Sequence, residues 1–267
     1  MRKGLPIEKT AERVASRATV LRDLHAGPAI LVLPNAWDAA SARAFQNAGF
    51  PALATTSGGV AAAIGYKDHE DAPEKEMIAA AARITRAVDI PVSVDFKAGY
   101  GLPPERIAQE LILAGAAGCN LEDSDHHGGS GIVDADRHAE RLAALKAALC
   151  KEGANLVLNA RVDVFIRKLG TPDQQLKEGL RRARLYRQAG ADCIYPITLA
   201  DEAMIAEFTR AVGVVNVNVR RGGPVTVARA AALGVRRVTY ATSLFRETMT
   251  FVEGIAEELK ALAAPAR

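Results

Sequence analysis

Two apolar runs in this chain end in charge: Pro91-Val-Ser-Val leads into Asp95-Phe96-Lys97, and one helix later Gly118-Cys-Asn-Leu leads into Glu122-Asp123. A charged group that follows a buried strand is costly to desolvate unless it has a partner or a task. Asp95 and Lys97 are two apart, so in extended backbone they share a face, with Phe96 turned into the helix layer. A lone Asp-x-Lys serves equally well as a salt bridge that fixes a loop. Glu122 adds a second carboxylate at the next strand end, more negative charge than one lysine neutralises, so a cation or a substrate must supply the balance. Thr55-Thr56-Ser57-Gly58-Gly59 offers hydroxyls and glycine-exposed N–H groups to a carboxylate or enolate oxygen. Arg161 can grip both oxygens of a substrate carboxylate, or pair with Asp163 or Glu122. His126-His127 followed by Gly128 to Gly131 reads as a lid rather than a zinc site, because adjacent histidines in strand-like backbone point apart and further ligands are missing.

For these groups to meet, strand ends must converge. Eight short apolar runs predict strands: Ala29 to Leu33, Ala52 to Thr56, Val92 to Phe96, Gly118 to Leu121, Leu156 to Ala160, Cys193 to Pro196, Val214 to Val219 and Arg237 to Tyr240. Helical periodicity fills the gaps, over Asp38 to Ala48, Pro73 to Val88, Pro104 to Ala114, Ala135 to Cys150, Pro172 to Ala189, Asp201 to Ala211 and Pro224 to Leu233, and most of these end at a glycine. Helix, glycine and strand in repeated order predict parallel strands with helical crossovers. Eight such units in 267 residues predict an α/β fold closed as a (β/α)8 TIM-type barrel, one domain over residues 1–267 with a helical C-terminal segment over 244–267. An open doubly wound sheet is the alternative, but no Gly-x-Gly-x-x-Gly follows the first strand.

Composition narrows the partners. A formal charge of +3 is too mild for a nucleic-acid footprint, and pairs such as Arg181-Arg182 and Arg236-Arg237 read as solvated helix or loop charges. Cys119, Cys150 and Cys193 match no metal or redox spacing and read as small core residues in a reducing cytosol. Residues 1–22 lack the apolar stretch of a secretion signal, and the Ala-rich segments are too interrupted by charge to span a bilayer. The expectation is a cytoplasmic protein with a small-molecule partner and neither nucleic acid nor membrane.

In a barrel the ligand sits over the carboxyl ends of the strands. Those ends supply Asn35 and Asp38, Thr55 to Gly59, Asp95 with Lys97, Glu122 with Asp123, Asn159 with Arg161 and Asp163, Tyr195, Asn216 and Asn218 with Arg220, and Thr242 with Ser243. Leu33-Pro-Asn-Ala-Trp-Asp38, Thr55-Thr-Ser57-Gly58 with Gly65-Tyr-Lys-Asp68, Asp95-x-x-Ala-Gly-Tyr-Gly101, Asn120-Leu-Glu122-Asp123 and Asn159-Ala-Arg161-Val-Asp163, in this order, resemble the isocitrate lyase / phosphoenolpyruvate mutase superfamily over nearly the whole chain. The resemblance implies a barrel whose last helix is exchanged between subunits of a dimer or tetramer, and Mg2+ (or Mn2+) that holds an enolate-forming 2-oxo acid. It implies substrate contacts from Ser57, Gly58 and Arg161, metal contacts from Asp95 and Glu122, and a place at the reacting end for Asp68; the strand-end residues add Thr56, Gly59 and Asn216 as substrate contacts and Lys97, with Asp68 and Arg161, at the reaction centre.

Two departures bear on activity. The family carries an acid where this chain has Lys97, and no Lys-Cys-Gly-His follows Glu122. The second departure argues against isocitrate or methylisocitrate cleavage of the usual kind. The expected activity is lysis or hydrolysis of a small oxaloacetate-like 2-oxo or 2-hydroxy carboxylate through a pyruvate-like enolate. The alternatives are P–C bond chemistry on a phosphonate, a Schiff-base aldolase on Lys97, and a non-catalytic 2-oxo acid binder with the Lys97 ammonium in place of the metal.

Overall fold

A computed structural model describes residues 7–68, 72–126, 128 and 131–263. The chain runs α1 (Ile7–Ala26), β1 (Leu31–Leu33), β2 (Asn35–Ala36), α2 (Ala39–Asn47), β3 (Leu53–Thr55), α3 (Ser57–Ala63), α4 (Glu74–Arg86), β4 (Val92–Asp95), α5 (Pro104–Ala114) and β5 (Gly118–Glu122). It continues with α6 (Ala135–Lys151), β6 (Val157–Val162), α7 (Pro172–Gln188), β7 (Cys193–Pro196), α8 (Glu202–Val212), β8 (Asn216–Asn218), α9 (Val227–Ala232), β9 (Arg237–Thr239) and α10 (Ser243–Leu262). Every ladder is parallel.

The strands close into a barrel. Six pair in the order β2-β3-β4-β5-β6-β7 and three in the order β1-β9-β8, and a bridge between Ile194 and Val215 joins β7 to the start of β8. The predicted strand Ala29 to Leu33 appears as β1 over its last three residues, and β2 follows it as a separate strand because Pro34 has no N–H for the ladder. Asn35 laces this break: its Nδ2 donates to the Thr55 carbonyl at 2.8 Å and its Oδ1 accepts from the Tyr240 amide at 2.7 Å, tying the first, second and last staves together.

The glycines after the helices do the work expected of them. Gly115, Gly153, Gly190 and Gly234 all carry positive φ, where a side chain would be strained. Two helices escaped the sequence reading. On α1, Val14, Ala18 and Leu21 are fully buried, and Leu21 packs with Leu31, Leu33, Ala52, Ala54, Ala117 and Val157, residues at or near the amino-terminal strand ends. It plugs the end of the barrel opposite the mouth. The second, α3, is the Ser57-Gly58-Gly59 stretch expected to be a loop.

Three surface expectations are corrected. Cys119 and Cys193 are buried, with burial pushing each thiol up to about 12, but Cys150 is exposed. Arg182 and Arg237 are buried rather than solvated. Each meets a polar group on a neighbouring element, which adjacent basic letters in a sequence do not disclose.

Candidate active site

A cavity of about 680 Å3 opens at the carboxyl ends of the strands, lined by Asn35, Thr56, Ser57, Asp68, Asp95, Asn120, Arg161, Tyr195, Asn218, Thr239 and Thr242 among others. One wall is built by the turn from β3 into α3. Thr56 caps α3, its Oγ1 lying 3.4 Å from the Gly59 amide and 2.9 Å from the Thr242 hydroxyl on the last stave. The Ser57 amide donates to Asp95 Oδ2 at 3.1 Å, and the Asp95 amide donates to Thr55 Oγ1 at 2.9 Å. These two bonds fix the Asp95 carboxylate at the mouth. Its other oxygen, Oδ1, is buried and has no hydrogen-bond partner among the described residues.

Asp95 and Lys97 do not share a face. The strand ends at Asp95, and Lys97 adopts a left-handed φ of 50°, which turns its side chain away from the extended direction. The buried Lys97 ammonium forms an ion pair with the exposed Asp68 carboxylate, on the segment after α3. Gly58 makes room for that carboxylate: a Cβ there would meet Asp68 Oδ2 at 2.7 Å and Thr242 Oγ1 at 3.0 Å.

Glu122 is occupied from two directions. Its Oε1 lies 2.5 Å from His126 Nε2 and its Oε2 lies 2.5 Å from Arg161 Nη1, Arg161 being its register partner on β6. Burial raises the Glu122 pKa, opposed by the Arg161 charge and the His126 hydrogen bond. Both partners foreseen for Arg161 are present at once, since its Nε and Nη2 also donate to the two oxygens of Asp163, each at 2.6 Å. Burial works against the guanidinium charge, but Asp163 and Glu122 overcome it and raise the Arg161 pKa.

Behind this pair lies a network that the sequence did not reveal. Asp163 also accepts from the Ser124 hydroxyl at 2.5 Å, and its amide donates to Asp123 Oδ1 at 2.8 Å. Asp123 Oδ2 accepts from Arg182 Nη1 at 2.9 Å and from the Tyr186 hydroxyl at 2.6 Å. Burial, then repulsion by Asp163, pushes the Asp123 pKa up to about 6. The signal was the charge-dense run Glu122-Asp123-Ser124; its partners lie about 40 to 60 positions away and carry no mark of the pairing.

The remaining expected residues divide. Thr56, Ser57, Asp68, Asp95 and Arg161 line the cavity, while Gly58 and Gly59 form the first turn of α3 just behind it. Asn216 is fully buried inside the barrel, where its Oδ1 accepts from the Thr239 hydroxyl at 3.2 Å; Asn218, two residues on, reaches the cavity. Of the expected lid, His127, Gly129 and Ser130 lie outside the described residues.

A divalent ion fits the donors in a restricted sense. No group of three or more His, Cys, Asp or Glu is arranged to hold a metal among the described residues. Asp95 nevertheless offers a buried, unpartnered carboxylate oxygen to the cavity. Asp68, Glu122 and Asp163 are paired with Lys97 or Arg161, whereas Asp95 forms no ion pair among the described residues. A hard ion such as Mg2+ keeps several waters and needs only one or two carboxylates, which suits Asp95; Glu122 lies behind the cavity lining with both oxygens already engaged, so its expected metal role is left only a water-mediated route.

The sequence profile of the phosphoenolpyruvate phosphomutase family matches residues 21–260. A probable 2-methylisocitrate lyase of Corynebacterium glutamicum is 31% identical over 249 residues, 89% of this chain and 78% of that protein. The crystal structure of a candidate phosphonomutase from Burkholderia cenocepacia superposes with a TM-score of 0.83 at 38% identity, covering 91% of this chain and 99% of that one. Oxaloacetate acetylhydrolase, solved with its product oxalate, superposes with a TM-score of 0.83 at 25% identity, covering 94% of this chain and 90% of that one.

Proposed function

This chain belongs to the phosphoenolpyruvate phosphomutase family, and from that premise we propose that it is a lyase or hydrolase that cleaves a C–C bond of a small, oxaloacetate-like 2-oxo or 2-hydroxy carboxylate through a pyruvate-like enolate. The observation that carries this reading is Asp95, its carboxylate held by the Ser57 amide and its backbone amide by Thr55, with one carboxylate oxygen left unpartnered in a residue that lines a polar cavity.

Each residue acts through its own geometry. Asp95 would hold Mg2+ or Mn2+, with Glu122 able to take part only through water. When bound, the ion supplies positive charge that stabilises an enolate oxygen. Ser57 and Thr56 bind a substrate oxygen at the start of α3, backed by Gly58 and Gly59. Arg161 is immobilised by Asp163 and Glu122, so it presents a fixed positive charge that orients a carboxylate of the substrate. Asp68 lines the cavity and moves the proton at the reacting carbon, with Lys97 balancing its charge. Lys168, Arg220 and Arg246 add cationic side chains to the cavity wall, which suits a substrate with a second anionic group.

The same cations favour a second reading, P–C bond cleavage of a phosphonate, supported by the Burkholderia relative. Incubation with oxaloacetate, 2,3-dimethylmalate and phosphonopyruvate, each with Mg2+, separates the two. Release of pyruvate or oxalate from a carboxylate, lost in Asp95→Asn, supports the first reading. Turnover of phosphonopyruvate alone rejects it in favour of the second.

The proposal extends to assembly and location. The chain acts as a cytoplasmic homo-oligomer, a dimer or tetramer, with α10 exchanged between subunits. An exposed apolar stripe on α10 supports this, and no described helix is long and apolar enough to cross a membrane.

A further inference from the structure

Arg237 is an unexpected occupant of the barrel interior. It lies on β9, in register with Leu31 on one side and Asn216 on the other, and is fully buried. Its Nη2 donates to Ser93 Oγ of β4 at 3.2 Å and to Asn120 Oδ1 of β5 at 3.4 Å, while Nε and Nη1 have no partner among the described residues. A buried guanidinium with unpaired N–H groups is costly, so its retention needs a compensating task.

The task can be read from Asn120. A guanidinium has donors and no acceptor, so the Asn120 atom that faces it is the carbonyl oxygen. The neighbouring Asn159, its register partner on β6, must then donate, and its Nδ2 lies 2.8 Å from that same oxygen. With the oxygen held from two directions, the Asn120 NH2 group is left for the cavity that Asn120 lines, and no partner within the chain takes it among the described residues. On the adjacent strand Asp95 pairs in register with Asn120, and both residues line the cavity.

We propose that Asn120 is a substrate-binding residue of the mouth and that Arg237 is its positioning residue, holding the amide so that its NH2 group donates to an oxygen of the bound acid. A donor there suits a 2-oxo carboxylate, whose oxo oxygen takes the Asn120 bond while its other oxygens lie toward Ser57 and Arg161. This rests on the 2-oxo acid reading given above and adds a contact that reading does not contain.

Calorimetric titration of the full-length protein with oxalate in the presence of Mg2+ tests it. Asn120→Ser withdraws the NH2 donor, since the serine hydroxyl sits one bond closer to the backbone, adds no charge, and should weaken oxalate about tenfold, the size expected for one hydrogen bond to a charged ligand. Arg237→Met should weaken it severalfold, and Arg237→Lys, which restores a donor toward the Asn120 oxygen, should recover most of the loss. Asn120→Ser with Arg237→Met should bind no worse than Asn120→Ser alone, because the arginine acts only through the amide. If Arg237→Met does not fold, Asn120→Ser and Arg237→Lys decide the matter. Wild-type affinity in folded Asn120→Ser, or losses that multiply in the double variant, would overturn the assignment and leave the functional reading standing. A wild-type protein that binds no oxalate would instead remove that reading, and this inference with it.

Discussion

At the scale of single residues, what decides the character of the mouth is which charges are satisfied within the chain. Arg161 and Glu122 consume much of each other's capacity, and Asp163 takes the rest of the guanidinium, so Asp95 is the acid with an open oxygen. Lys97 and Asp68 share one bond but not one environment: the lysine side chain is 5% exposed and the aspartate 45%. Breaking the pair from either end should therefore differ in cost. Lys97→Met leaves a carboxylate that water can reach, a change of about 1 kcal/mol or less. Asp68→Ala strands a buried ammonium and should cost more, about 1–3 kcal/mol once the exposure of its partner is discounted. Urea denaturation of the two variants measures this, and the reverse order would contradict the environments assigned to them. Asp95, Glu122, Ser57 and Arg161 were legible because charge or hydroxyl follows an apolar run. Asn120 and Arg237 were not, because an amide inside a strand and an arginine in a basic pair look ordinary until both are placed in one barrel.

At the scale of elements, the glycine after each helix and the β-branched runs made the (β/α)8 order readable, and the structure moves most boundaries by one or two residues. What escaped had physical reasons. The apolar positions of α1 are mostly small and diluted by charge, and α3 begins with Ser-Gly-Gly, poor helix formers that the Thr56 cap and the surrounding packing hold in place. Both α1 and α6 also bury a histidine. Burial, followed by nearby arginine charge, lowers the His25 pKa to about 4 and the His138 pKa to about 3, from an ordinary value of 6.5. Between pH 6.5 and those values the unfolded chain binds protons that the folded chain does not. Stability is therefore held above 6.5 and lost as pH falls, by about 1.4 kcal/mol per pH unit for each histidine. His138→Phe keeps the ring that packs edge-on to Tyr186 and should reduce the slope of stability against pH between 6 and 4 by about that amount. Denaturation midpoints across that range check it, and an unchanged slope would contradict the buried neutral imidazole.

At the scale of the whole molecule, the barrel is closed below by α1 and polar above, and its last helix leaves it after a first turn in which Phe245 packs on Trp37. No residue of α10 is buried, and Phe251, Leu259 and Leu262 are 71%, 61% and 82% exposed. Apolar surface of this extent on one helix is expected to be covered. Light scattering should find an oligomer, and Phe251→Glu with Leu259→Glu should shift it toward monomer; an unchanged mass would show that α10 is not the contact. The account as a whole turns on the open carboxylate oxygen at the floor of the mouth. Titration of Mn2+ into the protein in the presence of oxalate, followed by electron paramagnetic resonance, reads it most directly. The account predicts one saturable site in the wild type that disappears in Asp95→Asn. Absence of a site in the wild type, or a site that survives in Asp95→Asn, would contradict it.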